Sequence, residues 1–146
     1  IMTRVLCVAE KPSVAKQISE ALGQSFTVER TRNKFCKAYK FSMTFGRENW
    51  DMIVTSVLGH LLDISFEDEY SSWSRYDPAD LLYARTHIKS NDDMNDIVSS
   101  LENYAKAVEI LIVMTDCDRE GEYIGYEISQ MCLRVNPRIL VKRCVF

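Results

Sequence analysis

Residues 110–122 read Ile-Leu-Ile-Val-Met-Thr-Asp-Cys-Asp-Arg-Glu-Gly-Glu, an apolar run that breaks into four carboxylates within seven positions. This run narrows the folds open to the chain. A β-branched apolar stretch is the pattern of a strand buried on both faces, which belongs in a parallel sheet. Four like charges crowded together cannot enter a core, so the strand must end where solvent or a cation meets them. Side chains leaving a strand end at a spacing of two can converge on one hard cation through oxygen ligands.

The rest of the pattern alternates in the same way. Arg4–Ala9 is a short apolar strand that ends at Glu10-Lys11. Pro12 opens a helix that Gly23 closes, with Val14, Ile18 and Leu22 as its apolar stripe. Residues 26–37 are polar and basic, and are expected to form a loop. Ala38–Phe45 and Met52–Val57 read as strands, and residues 63–90, acidic and aromatic with Pro78, as an irregular excursion. Asp92–Lys106 is an amphipathic helix with Met94, Ile97, Val98 and Leu101 on one side. Val108–Thr115 is a strand, Glu120–Leu133 a helix carrying Ile124, Ile128 and Met131, and Ile139–Phe146 starts a last strand. Strands alternating with helices predict an α/β fold, a mainly parallel sheet flanked by helices, with ligands beyond the carboxyl ends of the strands. Glu10 and Asp116 both fall there.

Length and composition set the outer limits. A chain of 146 residues suits a single domain spanning 1–146, and 47% apolar with 27% charged residues is ordinary for a globular protein. No apolar run approaches the length of a membrane span, so no membrane partner is expected. Ile1 ahead of Met2 is expected to be a cloning remnant. Five cysteines without a C-x-x-C pair argue for a reducing compartment and against a structural zinc site. Charge is uneven: nine Lys/Arg stand against four Asp/Glu through Trp50, and six against seventeen from Asp51 to Arg134. Bulk charge thus does not point to a nucleic-acid reader, although the basic stretch Arg30, Arg32, Lys34, Lys37, Lys40 and Arg47 could track a phosphate backbone.

Three readings of the acidic run compete. It could be a solvated first turn of a helix, where Asp and Glu are favoured, but four carboxylates exceed what capping needs. It could be a calcium loop, since Asp116, Asp118, Glu120, Gly121 and Glu127 fall at positions 1, 3, 5, 6 and 12 of the EF-hand pattern. That motif needs an entering helix, and Glu109–Thr115 is a poor one. It could be a magnesium site for phosphoryl transfer, with Asp116, Asp118 and Glu120 holding Mg2+ directly or through water and Glu10 facing it.

Three ordered blocks add a resemblance: Glu10-Lys11-Pro12-Ser13-Val14-Ala15-Lys16, Ser56-Val57-Leu58-Gly59-His60-Leu61, and Asp116–Glu122. Together the chain resembles, nearly end to end, the Toprim domain of type IA DNA topoisomerases, in wording closest to eukaryotic-type topoisomerase III. The resemblance implies a Toprim (Rossmann-like) fold and Mg2+ as cofactor. It implies that Glu10 lies beside the scissile phosphate as proton donor or metal neighbour, and that Lys11 holds the phosphate. Asp116, Asp118 and Glu120 match the metal-binding acids, and Glu122 an outer-shell helper. Arg119 lies in the motif as a catalytic candidate, with a salt bridge to these acids as its plain alternative. His60 is a further outer-shell candidate, with a structural role as its alternative; His87 has no motif around it.

The implied chemistry cuts and rejoins single-stranded DNA through a 5′-phosphotyrosine, relaxing negative supercoils or decatenating. In the family the catalytic tyrosine belongs to a later domain. Tyr123 and Tyr126 sit inside the helix that follows the acids, so no nucleophile tyrosine is expected in this chain, which should not cleave alone. The expectation is an N-terminal fragment of a larger enzyme, with the remaining domains of that enzyme as its first partners. By resemblance only, a RecQ-type helicase and an OB-fold protein join them, in the nucleus or in a mitochondrial form. The rivals are a Toprim nuclease or primase and an EF-hand-like calcium-binding module at 116–127. Trp73 and Tyr76 could stack bases, though packing against a neighbouring domain is the plainer expectation.

Overall fold

Val5 to Ala9 are almost completely inaccessible to solvent, at most 1% exposed. Such a run must lie between two strands and beneath helices on both faces. In the computed structural model, which describes residues 2–67, 70 and 76–145, it is the centre of β1 (Met2–Ala9). The chain continues through α1 (Pro12–Leu22), β2 (Thr27–Arg30), β3 (Lys37–Phe45), β4 (Glu48–Ser56) and β5 (Leu62–Phe66). A 3₁₀ turn (Pro78–Leu82), β6 (Thr86–Ser90) and a second 3₁₀ turn (Asp92–Met94) lead into α2 (Asn95–Ala105). Then come β7 (Ile110–Met114), α3 (Arg119–Val135) and β8 (Leu140–Arg143).

Among the described residues six strands form one sheet in the order β2-β3-β4-β1-β7-β8. β1 is parallel to both β4 and β7, and β8 is parallel to β7, whereas β2 and β3 run antiparallel. The expected α/β architecture, a mainly parallel sheet with flanking helices, is what the chain adopts. The pleat divides β1 between two cores. Val5, Cys7 and Ala9 pack under α1 with Tyr39, Phe41, Met52 and Val54. Leu6 and Val8 face α2 and α3, with Leu101, Leu111, Val113, Ile124 and Ile128.

The helices follow the sequence pattern with adjustments. Pro12 occupies the first turn of α1, and the Gly23 amide donates to the Ser19 carbonyl at 2.9 Å. Val14 and Ile18 pack on the core, but Leu22 is 43% exposed because the buried line runs through Ala15 and Ser19. Asn136, just past α3, donates through Nδ2 to the carbonyls of Ala105 (2.8 Å) and Val108 (3.0 Å), joining the ends of α2 and α3. Among the described residues no helix is long and apolar enough to cross a membrane.

Two expectations change. Residues 26–37 are not wholly loop: Thr27–Arg30 pairs with Lys37–Lys40 as the edge strand β2. All four β2 residues are exposed, so no apolar alternation announced the strand. The stretch 63–90 is not simply irregular either, since Leu62–Phe66 and Thr86–Ser90 pair as a separate two-stranded antiparallel sheet. Ile64 faces Ile88 across it, each 64% exposed. Trp73 and Ile1 lie outside the described residues, and Tyr76 donates to the Tyr70 carbonyl.

None of the five cysteines is in a disulfide. Burial, with a smaller contribution from Cys144, pushes the Cys7 thiol up to about 12; burial, then Glu102, does the same to Cys132. Burial also raises Cys36, partly offset by its hydrogen bond from Ser56. A raised thiol stays protonated at pH 8 and is a poor nucleophile. Ellman's reagent at pH 8 should therefore modify exposed Cys117 first, with Cys7, Cys36 and Cys132 reacting only in denaturant. Fast modification of Cys7 in the folded chain would contradict this packing.

Candidate active site

In an open α/β sheet the chain leaves a crevice where successive connections depart to opposite sides. Here that point lies between β1 and β7. From β1 the chain moves through α1, β2 and β3 to β4 on one side, then through α2 to β7 on the other. Glu10 follows the last residue of β1, and Asp116 comes two residues after the end of β7.

These residues touch. The Asp116 amide donates to Glu10 Oε2 at 3.1 Å, and Lys11 Nζ donates to Asp116 Oδ2 at 2.9 Å. Lys11 Nζ also lies 3.6 Å from Glu10 Oε1. The hydrogen bond to Asp116, then the charges of Asp116 and Glu10, hold the ammonium above its ordinary range. Lys11 is more than half exposed, so these pairs add little to stability; they place a cation at the rim.

The acidic loop is shaped by the start of α3. Asp118 is its N-cap, accepting from the Gly121 amide at 2.7 Å, and Thr115 Oγ1 donates to the Gly121 carbonyl at 2.7 Å. Backbone comes so close here that a Cβ on Gly121 would lie 2.0 Å from the Asp116 carbonyl oxygen. Glu120 and Glu122 stand in the first turn, where the helix dipole favours negative charge. Arg143, at the end of β8, crosses beneath the loop. Its Nη2 donates to the carbonyls of Thr115 (2.8 Å) and Asp116 (3.1 Å) and to Glu122 Oε1 (2.7 Å). Its Nε donates to the same carboxylate at 3.0 Å.

Glu127 is 1% exposed and turns inward. Its Oε2 accepts from the Leu61 amide at 2.8 Å, and its Oε1 lies 3.4 Å from His60 Nδ1. The turn it holds passes through Gly59, whose φ of +128° suits glycine. The His60 ring leans on Tyr123 with centroids 5.2 Å apart. Among the described residues no buried side-chain nitrogen or oxygen lacks a hydrogen-bond partner.

The predicted residues are thus gathered unevenly. Glu10, Lys11 and Asp116 form one contact group, and Asp118 and Glu122 are tied to the loop's own scaffold. The side chains of Glu120 and Arg119 are exposed and make no hydrogen bond or ion pair among the described residues. The bridge from Arg119 to the acids is therefore absent, and Lys11 and Arg143 supply the cations instead. Among the described residues no three His, Cys, Asp or Glu side chains close into a metal cage. The donors on offer are the carboxylate oxygens of Glu10, Asp116, Asp118 and Glu120. That set fits a hard cation such as Mg2+, which keeps several waters and needs no complete protein cage.

The calcium-loop reading does not survive. A strand, not a helix, enters the acidic run, and Glu127, the residue at position 12, is spent on Leu61 and His60. Two roles escaped the sequence reading, which took Glu127 only as position 12 of the calcium pattern and gave Arg143 none. Glu127 had a signal, an acid amid the apolar stripe Ile124, Ile128 and Met131, which requires a buried partner. Arg143 had none: only the parallel register Val113↔Arg143 brings it to the acids.

Comparison with known proteins gives the family. The family model described as the Toprim domain matches residues 5–146. The chain belongs to the Toprim domain family. It is 44% identical over 147 residues to DNA topoisomerase 3 of Schizosaccharomyces pombe, covering 98% of this chain and 24% of that protein. It is 37% identical to DNA topoisomerase 3-alpha of Arabidopsis thaliana and 38% to that of Homo sapiens, covering 97% and 98% of this chain. It spans only 15% and 14% of those two proteins. Among solved structures the G domain of the T. maritima FeoB iron transporter superposes with a TM-score of 0.56 at 13% identity. That superposition covers 99% of this chain and 72% of that one, a likeness of fold alone.

Substitutions at Gly121, Gly125 and Glu127 test this architecture of the Toprim domain. Gly121→Ala drives a methyl group into backbone that cannot yield, and should cost about 3 kcal/mol in urea unfolding. Gly125→Ala meets the Val113 side chain at 3.0 Å instead, and should cost less. Glu127→Ala leaves the Leu61 amide unpaired and should destabilise by about 1–3 kcal/mol, with Glu127→Gln milder because an amide oxygen can still accept.

Proposed function

We propose that this chain is the metal-binding Toprim module of a type IA DNA topoisomerase of the topoisomerase III kind. The reading is carried by one observation: Glu10 and Lys11 at the end of β1 meet Asp116 at the end of β7. The relatives named DNA topoisomerase 3 add support, although the chain spans about a quarter or less of each of those described above.

In the proposed reaction a tyrosine from outside this chain attacks a phosphorus of single-stranded DNA. The bond to the 3′ oxygen breaks, a 5′-phosphotyrosine forms, and the departing oxygen takes a proton. Lys11 supplies a cation for the phosphate oxygens. Glu10, 11% exposed as a side chain and held by the Asp116 amide, is placed either to give that proton or to face the metal. Asp116, Asp118 and Glu120 would hold Mg2+, which when bound stabilises negative charge on phosphate. Arg143 and Glu122 keep the acidic loop in place. Strand passage through the transient break would relax negative supercoils or separate linked circles. The remaining domains of the parent enzyme, a RecQ-type helicase and an OB-fold protein are proposed partners, in the nucleus with a mitochondrial form as a second location.

The test uses the chain and a longer enzyme containing it. The chain should bind Mg2+ in calorimetry, Asp116→Asn should weaken that binding, and the chain alone should not cleave. The longer enzyme should trap a covalent protein–DNA adduct on a single-stranded oligonucleotide, and Glu10→Gln should slow its formation about 100-fold or more. Cleavage at the wild-type rate by Glu10→Gln would remove the proton-donor role. Nicked product with no adduct would favour a Toprim nuclease instead.

A further inference from the structure

The loop 31–36 stands on the same rim of the sheet as the acids. β3 runs antiparallel to β4, so its first residue, Lys37, lies beside the carboxyl end of β4. Thr55 Oγ1 donates to the Lys37 carbonyl at 3.0 Å, and Ser56 Oγ lies 3.6 Å from the Cys36 thiol. From β3 to β1 is two strand spacings, about 10 Å.

This loop is built rather than slack. Asn33 Oδ1 accepts from the amides of Phe35 (2.9 Å) and Cys36 (3.3 Å). Thr31 Oγ1 donates to the Asn33 carbonyl at 2.9 Å and also contacts the Cys36 carbonyl. Cys36 is 2% exposed and anchors the loop in the core, yet the preceding Phe35 is 58% exposed. Lys34 Nζ lies over the Phe35 ring, 4.8 Å from its centroid.

Among the described residues the basic side chains of this loop and its flanking strand ends form no ion pair. Arg30 and Lys37 stand directly opposite one another across β2 and β3, a like-charge pairing that costs stability. Arg30, Arg32, Lys34 and Lys37 make no ion pair among the described residues, whereas Lys40, on the same hairpin, is paired with Glu29. Arg47 sits at the far end of the sheet, in the β3–β4 turn. The basic stretch therefore divides, and only its 30–37 part faces the rim. An exposed aromatic ring beneath one lysine, on a pre-organised loop that also carries or adjoins Arg30, Arg32 and Lys37, is the arrangement that binds the bases and backbone of a single strand.

We propose that loop 31–36, with Phe35 as a stacking platform and Arg30, Arg32, Lys34 and Lys37 as phosphate contacts, is a single-stranded DNA contact separate from the acid centre. It rests on the reading of the chain as the Toprim module of a DNA-cleaving enzyme, and it places a second contact point on the strand held at Lys11.

Fluorescence anisotropy of the chain with a labelled oligothymidylate, over a range of salt concentrations, tests it. Phe35→Ala and Phe35→Leu should each weaken binding about tenfold, and Phe35→Trp should restore it. The double variant Arg32→Ala/Lys34→Ala should lower the slope of log affinity against log salt by about 1.4. Wild-type affinity and slope in all these variants overturn the inference and are what a protein-docking loop would give. No measurable binding by the unsubstituted chain at low salt also overturns it. The two readings fail separately: loss of binding in Phe35→Ala with no adduct formed by the longer enzyme supports the loop and removes the topoisomerase assignment.

Discussion

Carboxylates can crowd at the end of β7 because cations reach them from the strands on both sides. Lys11 comes from β1 and takes Asp116, while Arg143 comes from β8 and takes Glu122. Both neighbours run parallel to β7, so all three strands deliver their ends to the same edge. In an antiparallel sheet the neighbouring strands would end at the opposite edge. The charge balance of the site is thus a consequence of strand direction. It also divides the acids: Glu122 is committed to the scaffold, Asp118 to its helix and the buried Glu10 to the Asp116 amide, while Glu120 faces outward and Asp116 is half-buried beside Lys11.

That division bears on the chemistry. A cluster neutralised wholly by its own protein would have little affinity left for an added cation, and one not neutralised at all would push the loop apart. Arg143 is spent mainly on backbone carbonyls and on Glu122, so it fixes the loop without cancelling Asp116 or Glu120. Lys11 is the exposed partner, free to exchange a carboxylate for a phosphate at small cost because its ion pair is solvated. The fixed cation shapes the acidic loop, and under the proposed function the exposed one would be available to substrate.

What could be read in the sequence follows from which interactions are local. β1 and β7 declared themselves because burial on both faces demands an unbroken apolar run. α3 did so through Ile124, Ile128 and Met131. The meeting of Glu10, Lys11 and Asp116 was legible because strand ends in such folds share an edge. β2 was hidden because an edge strand with four exposed residues owes its existence to its partner, not to its own pattern. The β5–β6 hairpin was hidden for a similar reason, its isoleucines pairing with each other outside the main core. The reach of Arg143 to residues 113–122 depends on parallel register, which no local pattern records.

The uneven charge of the chain takes on a spatial sense once the sheet is assembled. Along the sequence the basic residues near 30–37 and the acids at 116–122 are far apart and of opposite sign. In the fold β3 brings the first group to the rim and β7 brings the second, with Lys11 between them just past the end of β1. A polyanion attracted to the basic end would be repelled at the acidic end unless a cation sat there. Under the proposed function, an edge with this polarity would favour a strand whose phosphate meets the acids only in the company of a metal, which would couple binding of DNA to binding of the ion without any contact between the two ends of the rim.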